Sequence, residues 1–201
     1  MDTRGRIYMS MKIKEDKRVT KTKRALRLGL AELLTEKGIQ NITVKELSDK
    51  VEINRSTFYA NFTDIYDLYH KTEDIVIQEI SDIFLENYAT SPQVFFEILF
   101  QYVHDNKQIC RMFFGRNVSP TFFSRLIALL KEACLTCWQG TYGIVGIPEE
   151  LEYYAHFYLS GGLALVDKWA DGDFEYSAEQ LGVIFADMEV TFGNFIKGKF
   201  S

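Results

Sequence analysis

The sequence contains few of the features that mark secreted, membrane or disulfide-rich proteins. Its three cysteines, Cys110, Cys134 and Cys137, are odd in number, which argues against a disulfide framework and for a reducing cytoplasm. The apolar runs are too short, and too often interrupted by polar residues, to span a bilayer. No continuous apolar segment follows the basic N-terminus, so we expect no signal peptide. These absences predict a cytoplasmic protein that does not bind a membrane.

Motifs that support catalysis or bind metals are also missing. There is no glycine-rich phosphate loop, nucleophile elbow or paired-carboxylate motif. His70, His104 and His156 are far apart in the sequence, and none has the spacing of a metal ligand. Cys134 and Cys137 form a C-x-x-C, but it lies inside a predicted helix rather than at a helix N-terminus, where the dipole lowers a thiol pKa. No second pair of ligands completes a zinc site, so we predict no enzymatic activity, no metal and no cofactor.

The net charge of −5 conceals two segments of opposite sign. Residues 1–62 carry 14 Lys and Arg against 8 Asp and Glu, whereas residues 63–201 carry 9 against 20. Nucleic-acid phosphates attract the first segment and repel the second. This division indicates a DNA-binding head on a body that does not contact DNA. The alternative from charge alone is a basic tail on an ordinary soluble protein.

The stretch 42–62, ITVKELSDKVEINRSTFYANF, has the most informative pattern in the chain. Apolar residues first recur at helical spacing, at Val44, Leu47 and Val51. Thr43 stands immediately before them and Glu46 follows three residues later, a capping-box arrangement that predicts the start of a helix.

A second helical pattern follows after a tight break. Asn54 is a good N-cap for a helix from Arg55 through Asn61. This helix is polar at its front and aromatic on its inner side, at Phe58 and Phe62. Two short helices joined in this way predict a helix–turn–helix, whose second helix enters the DNA major groove.

Residues 22–68 resemble the N-terminal domain of the TetR/AcrR regulators. The matching positions are Gly38, Ile42, Thr43, Leu47, Val51, Ile53, Thr57, Phe58, Tyr59, Phe62 and Leu68. The sequence departs from the family pattern at Glu52, where glycine is common, at Asn61, where histidine is common, and at Ile65, where lysine is common. Glu52 predicts a turn made without a positive φ, which non-glycine residues adopt reluctantly. Ile65 removes one phosphate contact that the family pattern implies.

The helix–turn–helix assigns roles to polar residues at the two helix starts. The predicted groove-facing residues are Arg55, Ser56, Thr57 and Asn61, and the predicted phosphate contacts are Thr43, Lys45 and Tyr59. Backbone N–H groups at the helix starts are expected to add phosphate contacts.

The predicted organisation is a basic arm (1–19), a helix–turn–helix domain (20–66) and a helical body (67–201). The arm either reaches into a minor groove or is a disordered terminus. The first helix is predicted to end at Gly38, as a C′ glycine, and the fourth to run from 63 or 64 to 88. Further helices are predicted at 92–104, 106–114, 120–142, 148–170 and 177–197.

The body has many aromatic residues for a small helical core. They indicate either core and interface packing or an apolar pocket between helices. The resemblance implies that the body binds an unidentified small-molecule effector. The candidate pocket residues are Phe100, Met112, Phe113, Cys137, Trp138 and His156.

The last two predicted helices have the pattern of a dimer-forming pair. The stripe expected at the interface is Leu181, Ile184, Phe185, Met188 and Phe192. Ser160, Gly161 and Gly162 offer a place for close approach of helices. In TetR-like proteins the corresponding helices form a four-helix interface between two subunits. The last 55 or so residues further resemble the dihydroxyacetone kinase regulator branch of that family.

Together these features predict an all-α, two-domain, homodimeric and ligand-responsive repressor that binds a palindromic DNA operator. An effector in the body is expected to tilt the fourth helix and change the spacing of the two recognition helices. One alternative is a co-regulator that acts mainly through protein contacts. Another is a small-molecule-binding or enzymatic helical protein with an incidental basic head.

Overall fold

The computed structural model describes residues 17–87, 92–114 and 120–200. These residues form nine α-helices, and none of them lies in a strand, which confirms the all-α prediction. The helices are α1 (Lys17–Glu36), α2 (Val44–Lys50), α3 (Arg55–Tyr59), α4 (Ile65–Asn87), α5 (Pro92–Asp105), α6 (Lys107–Cys110), α7 (Pro120–Tyr142), α8 (Glu149–Asp171) and α9 (Ala178–Phe200).

The chain divides into two compact units, Met1–Tyr69 and His70–Ser201. Helix α4 begins in the first unit and continues in the second. Of the predicted arm, residues 1–16 lie outside the described residues, and residues 17–19 belong to the first turn of α1.

The core of the first unit is built on the apolar face of α1. Leu26 and Leu30 are fully buried, as are Leu47 of α2 and Phe58 of α3. Gly29 permits the close approach of α1 to α2, because a Cβ at this position would lie 2.4 Å from Cγ1 of Val51. The apolar spacing of α1 and α2 therefore places the two short helices of the predicted helix–turn–helix on a common core.

Gly38 does not have the left-handed conformation expected of a C′ glycine. Helix α1 ends at Glu36, and Gly38 is extended, with φ −65° and ψ 151°. It precedes a short 3₁₀ turn, Ile39–Asn41, that begins the connection to α2. The prediction was wrong because a glycine close to a helix end can also start the next element, where its φ is negative.

In the second unit, α5 packs along α9, and α7 packs along α8. The ring of Phe185 on α9 lies 4.7 Å from that of Phe100 and 5.2 Å from that of Phe96, both on α5. Ser177 Oγ accepts a hydrogen bond from the backbone N–H of Gln180, whose side chain accepts one from the N–H of Ser177. This reciprocal pair caps α9 where the sequence predicts its start.

The predicted helix 106–114 is shorter in the structure. Regular helix covers only Lys107–Cys110, and turns follow to residue 114. Met112, Phe113 and Phe114 are all buried. Three consecutive buried side chains do not fit a surface helix, which buries one face at intervals of three or four residues.

An ion-pair cluster within the second unit joins α4 to α7. Arg125 Nη1 donates to Glu73 Oε2 at 2.7 Å, and its Nη2 donates to Asp74 Oδ1 at 2.5 Å. Glu73 is only 2% exposed, and its Oε1 has no hydrogen-bond partner within the described residues. His70 Nδ1 lies 3.6 Å from Oε2 of the same carboxylate. The guanidinium of Arg125 is therefore the main compensation for a buried negative charge.

Arg125→Met is expected to lower the free energy of unfolding by about 2 kcal/mol, because it leaves the buried Glu73 carboxylate without its cation. Because the Arg125 side chain is about half exposed, solvent screens its interaction with Glu73. The loss of stability is therefore expected at the low end of the range for buried ion pairs. Urea denaturation followed by circular dichroism measures it. Lys131→Met, which removes the exposed pair with Glu152, should change the same quantity by less than about 0.5 kcal/mol. Equal losses in the two variants would contradict the role given to burial.

Candidate functional site

The start of α2 has the capping box that the sequence predicts. Thr43 Oγ1 accepts a hydrogen bond of 3.2 Å from the backbone N–H of Glu46. Lys37 Nζ donates to Glu46 Oε1 at 2.5 Å, and this bond lowers the pKa of Glu46, with a smaller contribution from the backbone N–H of Thr43. Helix α2 thus has a fixed first turn beside the exposed Thr43 and Lys45.

The turn between α2 and α3 differs from the prediction. Glu52 has a φ of +55°, so the turn does use a left-handed residue. The N–H of Glu52 donates to Asp49 O at 3.3 Å, and the N–H of Ile53 donates to Ser48 O at 3.0 Å. This is the Schellman pattern, which satisfies the last carbonyl groups of α2. The geometry of the turn is set by these backbone bonds, and the non-glycine residue bears a conformational cost.

Glu52→Gly is expected to raise the free energy of unfolding by about 1 kcal/mol, because glycine adopts a positive φ without steric strain. Thermal denaturation provides the measurement. Asp49→Gly, a matched change at an exposed position inside α2, should instead destabilise by roughly 0.3 kcal/mol, because the helix propensity of glycine is somewhat lower than that of aspartate. A destabilised Glu52→Gly protein would show that the side chain stabilises this turn.

Helix α3 is anchored by one aromatic side chain and leaves its N-terminus exposed. Phe58 is fully buried, while Arg55 and Ser56 are exposed. Asn54 is the N-cap, but its side chain makes no capping bond; its backbone carbonyl accepts from the N–H of Thr57 at 2.9 Å. Regular helix ends at Tyr59, two residues before the predicted end.

The predicted DNA contacts differ in accessibility. Thr43, Lys45, Arg55, Ser56 and Tyr59 are exposed, the last to 58%. Thr57 and Asn61 are half-buried, and the Asn61 side-chain amide donates to Thr57 O at 2.8 Å.

Other lysines of the first unit form ion pairs within it. Lys50 Nζ lies 2.8 Å from Glu32 Oε2, and this bond raises the pKa of Lys50. Lys37 is paired with Glu46. The exposed Lys45 and Arg55, next to the starts of α2 and α3, are thus better placed for phosphate or base contacts than these paired lysines.

A groove of about 1550 Å³ runs between α8 and α9 in the second unit. Its rim includes Tyr153 and Phe157 of α8, which are 70% and 68% exposed, and Met188 and Phe195 of α9. We call these four residues the groove rim. Exposed aromatic side chains at this density are typical of a surface that binds another molecule.

The groove floor lies below this rim. We define it as the buried apolar residues Phe84, Phe95, Phe96, Leu130, Leu159, Val166 and Phe185. They come from five helices, α4, α5, α7, α8 and α9. The groove therefore reaches into the packed interior of the second unit.

The predicted pocket residues lie elsewhere in the second unit. None of them lines the groove. Phe100, Met112, Phe113 and Trp138 are almost completely buried in the core, Cys137 is half-buried, and His156 is exposed. Sequence reasoning missed Tyr153 and Phe157, although a signal was present: α8 has a second apolar face at these positions, besides the buried face that includes Leu151 and Ala155.

The predicted interface stripe divides between two environments. Leu181 and Phe185 are buried within one copy of the chain, whereas Ile184 and Met188 are exposed. Phe192 is half-buried, with its ring 5.2 Å from that of Tyr158. Only part of the stripe is therefore available to a second copy.

A polar cluster lies between α7, α8 and α9. The Tyr158 hydroxyl donates to Glu189, which is buried on α9. Burial raises the pKa of Tyr142 to about 12, and the nearby Glu189 charge contributes. Burial and Glu189 also raise the pKa of the Cys134 thiol. Since a reactive cysteine needs a low thiol pKa, Cys134 is a packing residue.

Within 17–87, 92–114 and 120–200, no three His, Cys, Asp or Glu residues are placed to hold a metal ion. No helix in those ranges is long and apolar enough to cross a membrane.

Residues 90–188 match a family model, TetR_C_8, described as "Transcriptional regulator C-terminal region". The fold is similar to a crystal structure of a TetR transcriptional regulator from Streptococcus agalactiae, with a TM-score of 0.60 and 19% identity, covering 86% of this chain and 96% of that one. It is also similar to the dihydroxyacetone kinase operon activator DhaS, with a TM-score of 0.58 and 14% identity, covering 89% and 96%. No curated protein sequence matches the chain.

Proposed function

We propose that this chain is a transcriptional regulator of the TetR family that binds a palindromic operator as a homodimer and represses transcription until a small molecule binds the second unit. The observation that carries the proposal is the exposed polar front of α3, held by the buried Phe58. A short helix with this division is suited to enter a major groove with its N-terminal residues toward the bases.

Charge supports the assignment of DNA binding to the first unit. Residues 1–62 have a net charge of +6, and the remaining residues a net charge of −11. Phosphates attract the first segment and repel the second, so only the first unit is expected to approach a duplex. Binding should therefore weaken steeply as the salt concentration rises.

Arg55→Ala is expected to relax sequence preference at one position of each half-site, because an arginine at the front of a recognition helix pairs with guanine through two hydrogen bonds. The loss should be roughly 1–3 kcal/mol on the preferred duplex and small on others. Selection from a duplex library measures both.

Arg24→Ala is the matched control for Arg55→Ala, since Arg24 is an exposed arginine on α1. It should leave the sequence preference unchanged, whatever it does to overall affinity. An unaltered preference in Arg55→Ala would reject the base contact.

The groove rim supports dimer formation. Tyr153 and Phe157 lie one helical turn apart on α8, and Met188 lies on the facing helix α9. A second copy related by a two-fold axis would cover the same rim on both chains. A dimer places two recognition helices on one duplex, which requires a spacing of about 34–36 Å between half-sites.

Helix α4 is the proposed route of the response. It begins in the first unit and continues in the second, where Glu73 and Asp74 are paired with Arg125 of α7. A ligand that binds one arrangement of the second-unit helices more tightly shifts α4 with them. The size of the response equals the difference between the ligand affinities for the two arrangements.

A further inference from the structure

We propose that the two asparagines at the ends of α3 have different roles in recognition: Asn54 reads an adenine in each half-site, and Asn61 positions α3 without reading a base. The inference rests on the proposed function, because it takes α3 as the recognition helix. It adds a specificity-determining residue that the sequence pattern does not assign to DNA. It also gives Asn61 a different role from the groove contact that the sequence predicts.

Asn54 immediately precedes α3 and is exposed. The side-chain oxygen of an N-cap asparagine usually accepts a hydrogen bond from an N–H of the first helical turn. In the described part of the chain the Asn54 side chain makes no such bond. Its backbone carbonyl begins the helix by accepting from the N–H of Thr57, at 2.9 Å. The start of α3 therefore leaves the oxygen and the NH₂ group of the Asn54 amide available to another molecule.

This amide matches the major-groove edge of adenine. Adenine presents the N7 acceptor beside the N6 amino donor, and an asparagine amide pairs with both through two hydrogen bonds. Asn54 lies at the N-terminus of α3, the end at which a recognition helix meets base edges. Its exposed neighbour Arg55 is suited to guanine. Since consecutive Cα atoms are about 3.8 Å apart and base pairs rise by roughly 3.4 Å, the two bases are expected at neighbouring positions.

Asn61 lies two residues beyond the end of α3 and is half-buried. Its side-chain NH₂ group donates to Thr57 O at 2.8 Å. The backbone N–H of Asn61 donates to Phe58 O at 2.9 Å, so the side chain supplies the bond that a continued helix would make to Thr57 O. The Asn61 amide is therefore held against the last turn of α3.

A helix as short as α3 depends on bonds of this kind. Its five residues, Arg55–Tyr59, are far fewer than the roughly 12–15 that an isolated helix needs in water. Phe58 and Phe62 are buried, with ring centroids 5.9 Å apart, and Asn61 lies between them in the sequence. Loss of the Asn61 bond should therefore disturb the placement of α3 on every duplex, whereas loss of a base contact acts at one base pair.

Asn54→Ser separates base reading from capping. Serine is about as good an N-cap as asparagine, but its single hydroxyl cannot form the two-bond pair with adenine. We expect the variant to keep the Tm of the unmodified chain and to lose an adenine preference at one position of each half-site. Affinity for the preferred duplex should fall by about tenfold. In selection from a duplex library, this position should neighbour the one that Arg55→Ala relaxes.

Asn61→Ala is the matched change at the other end of α3. It should lower the affinity for preferred and altered duplexes alike, by roughly three- to tenfold, and leave the preference at each position unchanged. Asn61→Ser, whose hydroxyl can donate to the carbonyl four residues back, should recover most of the lost affinity. Circular dichroism at the assay temperature verifies that each variant is folded.

An unchanged base preference in Asn54→Ser would overturn the role of Asn54. A preference lost at one position in Asn61→Ala would overturn the positioning role of Asn61. The unmodified chain is selected on the same library. If it enriches a palindrome and Asn54→Ser enriches the same one, this inference fails and the proposed function stands. If the unmodified chain enriches no duplex, the proposed function itself is refuted.

Discussion

Phe157→Glu is expected to leave the chain folded but monomeric, and to weaken operator binding by about 100-fold or more. Phe157 is 68% exposed on the groove rim, so its replacement removes little intrachain packing. In a symmetric dimer it would bury two carboxylates, which costs about 3 kcal/mol or more. Without the dimer, a single recognition helix must bind one half-site alone. Sedimentation velocity and duplex titration measure the two effects.

Tyr176→Glu serves as the control for Phe157→Glu. Tyr176 is also an exposed aromatic residue of the second unit, at 54%, but does not line the groove. The variant should dimerise and bind the operator like the unmodified chain. A Phe157→Glu protein that still sediments as a dimer would place the interface on another surface.

Phe185→Ala is expected to lower the free energy of unfolding by about 3–5 kcal/mol. Phe185 is 6% exposed and packs against Phe96 and Phe100, so truncation leaves a cavity between α5 and α9. Ile184→Ala, at the adjacent exposed position, should cost less than about 1 kcal/mol. Urea denaturation compares the two variants.

The burial of Phe185 determines whether a substitution at this position tests dimer formation or folding. From the sequence, Phe185 belongs to the predicted interface stripe, and a charge placed there is expected to break the dimer. Because the ring is buried within one copy, Phe185→Glu would report on folding instead. A stable but monomeric Phe185→Ala protein would support the sequence-based interpretation.

Local chemistry made the elements of the first unit predictable. The capping box of Thr43 and Glu46 and the buried Phe58 follow from spacing along a helix. The positive φ of Glu52 did not follow, since the backbone bonds to Asp49 and Ser48 that hold it involve no particular side chain. Residue type gives a preference for φ, and these bonds override it.

Tertiary packing decided what the sequence left open in the second unit. A periodic pattern reveals that α8 is apolar on more than one face, but not which face packs inward. The neighbouring helices bury Leu151 and Ala155 and leave Tyr153 and Phe157 exposed. The sequence also left open the environment of the predicted pocket residues. Large aromatic residues such as Phe100 and Trp138 are equally suited to a packed core and to the wall of a cavity.

Selection of the purified chain on a library of duplexes at near-physiological salt, followed by sequencing of the retained DNA, tests the central claim of operator binding most directly. We predict enrichment of a short palindrome, with half-sites one helical turn apart or a multiple of it. Absence of enrichment, from protein shown to be folded and dimeric, would contradict the proposal and favour a regulator that acts through protein contacts.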